Sequence, residues 1–341
     1  MPSGRGPAGA DVLRVLLLAH NDRPCNPSGV THRYGRMCAA LGIESHLHAL
    51  RHYSATERFG SMRPGWARPT VRPRSYSPGA CSDPGGGTDV SSAEVTPTRY
   101  LFEEVSLHAE QIVPRFDPVE TLPEDAARLA RMQWRIPVGP VNDLIGWIEP
   151  AGCVVIEEDF DTARVDGLSQ WVGDHPVVLL NRSSPTDRKR LTLAHELAHL
   201  CLHSVEVTED MEAEANRFAA EFLMPAEMIR PQLRNLTLGR LYDLKREWGV
   251  SMQALIERAY SLKVMTPTQR TSLYKRFSSM GWRTREPISD ELPQEHPRLA
   301  RHIGGVLVEK GLTADEIARI AGYAETEVHP FQPAAPRLRT V

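Results

Sequence analysis

Two histidines four residues apart with a glutamate beside the first make the most reactive pattern in this chain: His195-Glu196-Leu197-Ala198-His199, within LTLAHELAHLCLH, Leu191 to His203. On a helix, residues four apart share a face about 6 Å apart along the axis, so both imidazoles can reach one ion. Zinc suits such a pair. Glu196 then falls beside the metal's open position, where it can take a proton from a water that the metal has acidified. In a chain with 13 histidines, HExxH arises by chance in on the order of a few per cent of sequences, so context must decide. The surrounding Leu191, Leu193, Ala194, Leu197, Ala198, Leu200, Cys201 and Leu202 make this helix apolar nearly all round, which implies burial. Buried His and Glu side chains need partners, and one metal ion supplies them for all three.

A third ligand must come from elsewhere. His203 continues the helical spacing but lies about 12 Å along the axis from His195, too far to share one zinc, and no glycine breaks the helix before it. It reads as a helix cap or a support behind the site. The next helical segment, MEAEANRFAAEFLMP, turns Ala215, Phe218, Ala219, Phe222 and Leu223 inward. At about 100° per residue, Glu212 falls roughly 50° from the centre of that face and Glu214 roughly 110°. The expected ligands are therefore His195, His199 and Glu212, with Glu196 as general base. Asn216, one turn after Glu212, can hydrogen-bond a ligand histidine from behind. Glu214 and Glu221 read as solvated. Tyr260 and His175 are candidate donors to a developing oxyanion.

The elements that must hold these residues follow from pattern. Helices are expected over PEDAARLARMQW and GPVNDLIGWIEP, the latter ended by Pro150 and Gly152. GCVVIEE reads as a strand, and LSQWV and PVVLLN as a hairpin around Gly173-Asp174-His175. The metal-binding helix is expected to open with Ser184 as N-cap, Pro185 at its first position and Asp187 completing a capping box.

Residues 54–98, rich in Pro, Gly, Ser and Arg, read as a disordered linker, and residues 1–53 as a βαβ-like unit of unknown role. A catalytic domain over 99–235, a helix-turn-helix-like extension over 236–282 and a helical tail over 283–341 complete the division. The formal net charge of −3 excludes a global basic field. The apolar run Val12 to Ala19 is too short to span a bilayer and lacks a small-residue cleavage site, so a cytoplasmic protein with no membrane partner is expected. Five cysteines without a CxxC pair read as free thiols.

In the order PVVLLN, RLTLAHELAHLCLH, EAEANRFAAEFLMP, LKREWGVSMQALIERA, the sequence resembles the ImmA/IrrE family of metallopeptidases across roughly residues 123 to 282. The resemblance implies an α+β fold: a small mixed or antiparallel sheet packed on a helical, zincin-like core, followed by a helical C-terminal region. It also implies zinc on His195, His199 and Glu212, Glu196 as base, and a cytoplasmic endopeptidase cutting a helix-turn-helix repressor to induce stress or mobile-element genes. Two features depart from the family: no N-terminal DNA-binding domain is legible in residues 1–98, and Ala198 stands where glycine is common. A DNA-binding regulator is the competing reading, because LYDLKREWGVSMQALIERAYSL has helix-turn-helix form. Its second helix offers only Arg258 and Lys263 to phosphates, and its apolar residues suggest a packed pair instead. GLTADEIARIAGYAETEVHPF has the same form, with Glu325 and Glu327 opening its second helix. A catalytically silent sensor on the same fold is the third reading; the intact Glu196 speaks against it.

Overall fold

The apolar run Pro176 to Leu180 places one strand in the middle of a sheet, because a strand without polar alternation must be covered on both faces. A computed structural model describes residues 109, 111–160, 165–172, 174–204, 210–321 and 329–333, and shows that arrangement. The expected unit over 1–53 and linker over 54–98 lie outside the described residues. Strands β1 (Val154–Glu158), β2 (Gly167–Val172) and β3 (His175–Asn181) form a mixed sheet in the order β1-β3-β2. β1 runs parallel to β3, and β2 pairs antiparallel to it in the expected hairpin, with Val172 opposite His175.

Side chains alternate along β3, so its neighbours divide between two cores. Val155, Val178 and Leu180 face the main core. Val154, Ile156, Val177 and Leu179 face a second core, completed by Ile303, Leu307, Ile317 and Phe331 from the C-terminal region.

Ten α-helices are described: α1 (Pro123–Gln133), α2 (Leu144–Ile148), α3 (Thr186–Leu202), α4 (Met211–Leu223), α5 (Ala226–Ile229), α6 (Leu238–Trp248), α7 (Met252–Ser261), α8 (Pro267–Ser279), α9 (Leu299–Glu309) and α10 (Ala314–Ile320). The protein is thus α+β, with a small mixed sheet among many helices. α3 lies between β2 and α4, and α1 packs on α4. α2 is shorter than GPVNDLIGWIEP suggests: Asp143 caps it by accepting from the Gly146 N–H, and a 3-10 turn over Glu149–Ala151 leads to Gly152 at φ 79°. Among the described residues no helix is long and apolar enough to cross a membrane. Cys153 and Cys201 are buried free thiols, and burial pushes both pKa values up.

The capping box expected at Ser184 does not form. Pro185 occupies the N-cap and makes no side-chain cap bond. The Ser184 hydroxyl donates instead to Asp166 Oδ1 at 3.2 Å. Asp187 receives Lys245 Nζ at 2.6 Å, and that buried ammonium also donates to Glu286 Oε2 at 2.8 Å and Ser289 Oγ at 2.7 Å. A short-range motif thus yields to charged partners far along the chain, which fasten the start of α3 to α6 and the segment after α8. Arg190 ties the same turn to Glu295 and to the Gly249 carbonyl, and burial lowers its pKa to about 10.

The helix-turn-helix-like pair is α6 and α7, joined through Gly249 at φ 63°. Leu241, Leu244, Trp248, Met252, Leu255 and Ile256 are all buried in the main core. Arg258 is buried against Glu221 and donates to the Met224 carbonyl. Glu325 and Glu327 of the second such pattern lie outside the described residues.

Candidate metal centre

The site begins with the pitch of α3, which brings the His195 and His199 Nε2 atoms to 3.0 Å from each other. α4 packs alongside and presents Glu212, whose Oε2 lies 3.3 Å from His195 Nε2 and whose Oε1 lies 3.5 Å from His199 Nε2. Among the described residues this is the one group of three or more His, Cys, Asp or Glu side chains placed to share an ion. The histidine side chains are each 16% exposed and Glu212 26%, so water reaches the cluster.

Hydrogen bonds behind the ligands determine what the cluster can hold. Asn216 Oδ1, 3.2 Å from His195 Nδ1, can only accept, so that nitrogen carries the proton and Nε2 presents a lone pair. Glu214 Oε2 lies 2.9 Å from His203 Nε2 and fixes the proton there. His203 Nδ1 is then an acceptor, and it receives the Nδ1–H of His199 at 3.0 Å. His203 is neutral in this arrangement: burial holds its pKa below the ordinary histidine value, against the opposing pull of Glu214. The relay leaves two Nε2 lone pairs facing each other beside a carboxylate, a repulsive set unless a cation joins them. Zinc bonds of about 2.0–2.1 Å at tetrahedral angles would set the donors roughly 3.3–3.4 Å apart, so the observed spacings fit that ion. At His195, burial disfavours the imidazolium. The Glu212 hydrogen bond and the charges of Glu196 and Glu212 outweigh it, so the pKa is raised. The carboxylates of Glu196 and Glu212 that favour a proton there would also favour a cation.

Glu196 is buried beside this cluster, and its Oε2 accepts from the Ser169 hydroxyl at 2.7 Å. β2 runs along α3 in matched steps. A Cβ on Gly167 would meet Thr192 Cγ2 at 2.7 Å, Ser169 reaches Glu196, and the Trp171 indole N–H donates to the Leu200 carbonyl at 3.1 Å. Two strand residues rise about 6.6–6.8 Å and four helical residues about 6.0 Å, so alternate strand positions meet successive turns. Ser169 carries no sequence signal of its own; only alternation along LSQWV placed it on the same face as Trp171.

The structure therefore brings His195, His199, Glu212, Glu196, Asn216 and His203 together. It does not add Tyr260 or His175 to the three-residue cluster. Tyr260 is exposed, with the Arg270 guanidinium 4.9 Å above its ring. His175 lines a cavity of about 430 Å³ with Trp171 and Pro176. Two glutamates differ from expectation: Glu214 is held against His203, and Glu221 is buried, paired with Arg258 and within 3.3 Å of the Ala226 N–H. Glu214 stands on the flank of α4, where a long side chain still reaches the end of α3.

Residues 148–260 match the family model Peptidase_M78, described as the IrrE N-terminal-like domain, in agreement with the ImmA/IrrE resemblance. No curated protein matches the chain.

Proposed function

From the premise of a Peptidase_M78 domain at residues 148–260, we propose that this protein is a zinc-dependent endopeptidase with a zincin-like core. The observation that carries the reading is the pair of Nε2 atoms 3.0 Å apart facing Glu212, each histidine held by an outer hydrogen bond in the tautomer that a metal requires. His195, His199 and Glu212 would hold the ion. Bound zinc would acidify a water molecule and polarise the scissile carbonyl. Glu196 accepts the proton of the attacking water and delivers it to the departing amine nitrogen, the two roles one carboxylate can fill in succession. Its burial keeps competing solvent from the carboxylate, and Ser169 occupies one of its two oxygens.

The substrate proposed is a helix-turn-helix repressor, cut in the cytoplasm to induce stress or mobile-element genes. The family match and the ImmA/IrrE resemblance support that class. Burial of the α6–α7 pair and engagement of Arg258 by Glu221 favour a role in packing over direct contact with DNA. Replacing Glu196 with Gln removes the proton acceptor while preserving shape. The Glu196→Gln variant is expected to retain zinc and lose cleavage of a co-expressed repressor, read as loss of the product band. Cleavage at the wild-type rate would rule out Glu196 as the base.

A further inference from the structure

A buried general base must be aimed as well as charged, because a misplacement of about 1 Å can cost on the order of a hundredfold in rate. Backbone geometry alone does not aim Glu196: its carboxylate sits beyond two side-chain torsions and a freely turning terminal one. Ser169 makes a contact that limits this freedom. Its hydroxyl lies 2.7 Å from Glu196 Oε2 and 3.1 Å from the Glu196 carbonyl oxygen. A hydroxyl has one proton to give, and the shorter, charge-assisted contact to the carboxylate is the stronger.

The placement follows from how β2 lies on α3. Gly167 lets the strand approach closely, since a Cβ there would lie 2.7 Å from Thr192 Cγ2 and 2.9 Å from the Leu179 carbonyl oxygen. Trp171 anchors the other end through the Leu200 carbonyl. Between these two contacts Ser169 has a fixed height and distance opposite Glu196. A serine reaches the carboxylate there with a single side-chain torsion, so little conformational freedom is lost in making the bond.

We infer that Ser169 is a positioning residue for the general base, fixing the orientation of the Glu196 carboxylate through Oε2. This role rests on the peptidase reading, and the contact itself is tested separately from it. Two measurements on the full chain test it. In urea unfolding, Ser169→Ala is expected to lower the folding equilibrium constant about tenfold in the wild-type background and hardly at all in a Glu196→Ala background. Equal effects in both backgrounds would overturn the contact.

In the zinc-loaded protein, with a pool of internally quenched peptides of randomised sequence, Ser169→Ala is expected to lower kcat about 10- to 100-fold. KM and zinc content stay unchanged, and Ser169→Thr, which keeps the hydroxyl, restores kcat. Wild-type kcat in Ser169→Ala, or a loss that Thr does not repair, would overturn the positioning role while leaving the peptidase intact. Wild-type protein that binds zinc and cleaves none of the pool would instead count against the peptidase reading, and the role of Ser169 would fall with it.

Discussion

Glu214 is not one of the three residues placed to share an ion, yet it governs the tautomer of one of them, and its removal tests the relay behind the site. Glu214 Oε2 holds the proton on His203 Nε2, and His203 in turn accepts the Nδ1–H of His199. In Glu214→Ala, His203 is free to carry its proton on Nδ1, opposite His199 Nδ1. That contact survives only if His199 moves its own proton to Nε2, the atom a metal needs bare. The pair is shielded, with the His203 side chain 1% exposed and that of Glu214 16%. Losing a charge-assisted bond in such surroundings costs about 1.5–3 kcal/mol, which corresponds to a fall of about 10- to 100-fold in zinc affinity. Competition against a chromophoric zinc chelator at neutral pH measures it directly. Glu214→Gln separates charge from hydrogen bonding: its amide oxygen can still accept from His203 Nε2, so affinity returns most of the way. Wild-type affinity in a folded Glu214→Ala variant would refute the relay.

Lys245→Met leaves Asp187 and Glu286 buried without their shared cation; destabilisation of about 3–5 kcal/mol is expected in urea unfolding, and a loss near zero would show that these carboxylates neutralise freely. Glu149 accepts the Arg298 and Leu299 N–H groups at the start of α9, and burial outweighs those bonds to raise its pKa above 4.5. The folded state therefore binds this proton more tightly than the unfolded state. The resulting stabilisation is complete below the unfolded value and is lost as pH rises through the folded one. Glu149→Gln, which does not titrate, is accordingly expected to gain stability relative to wild type between acidic and neutral pH. Urea midpoints of both proteins at two pH values show the trend, and a relative loss would contradict it.

What the sequence makes legible is local. His195 and His199 follow from helical pitch, and the apolar stripe of Ala215, Phe218, Ala219 and Phe222 orients Glu212 inward without any tertiary knowledge. The continuous apolar run of β3 marks it as the covered strand. What escapes depends on partners distant in sequence. Ser184 and Asp187 look like a cap, but Asp166 and Lys245 claim their polar groups. Glu221 looks solvated until Arg258, 37 residues on, closes over it. Ser169 is an ordinary strand serine until α3 is laid against it.

Zinc content by elemental analysis of the purified wild type, beside His195→Ala and Glu212→Ala, tests the metal centre most directly. About one zinc per chain in wild type, with marked loss in both variants, is the expected result. Wild-type protein that contains no zinc and takes up none on titration, or full zinc in Glu212→Ala, would contradict the assignment of His195, His199 and Glu212 as its ligands.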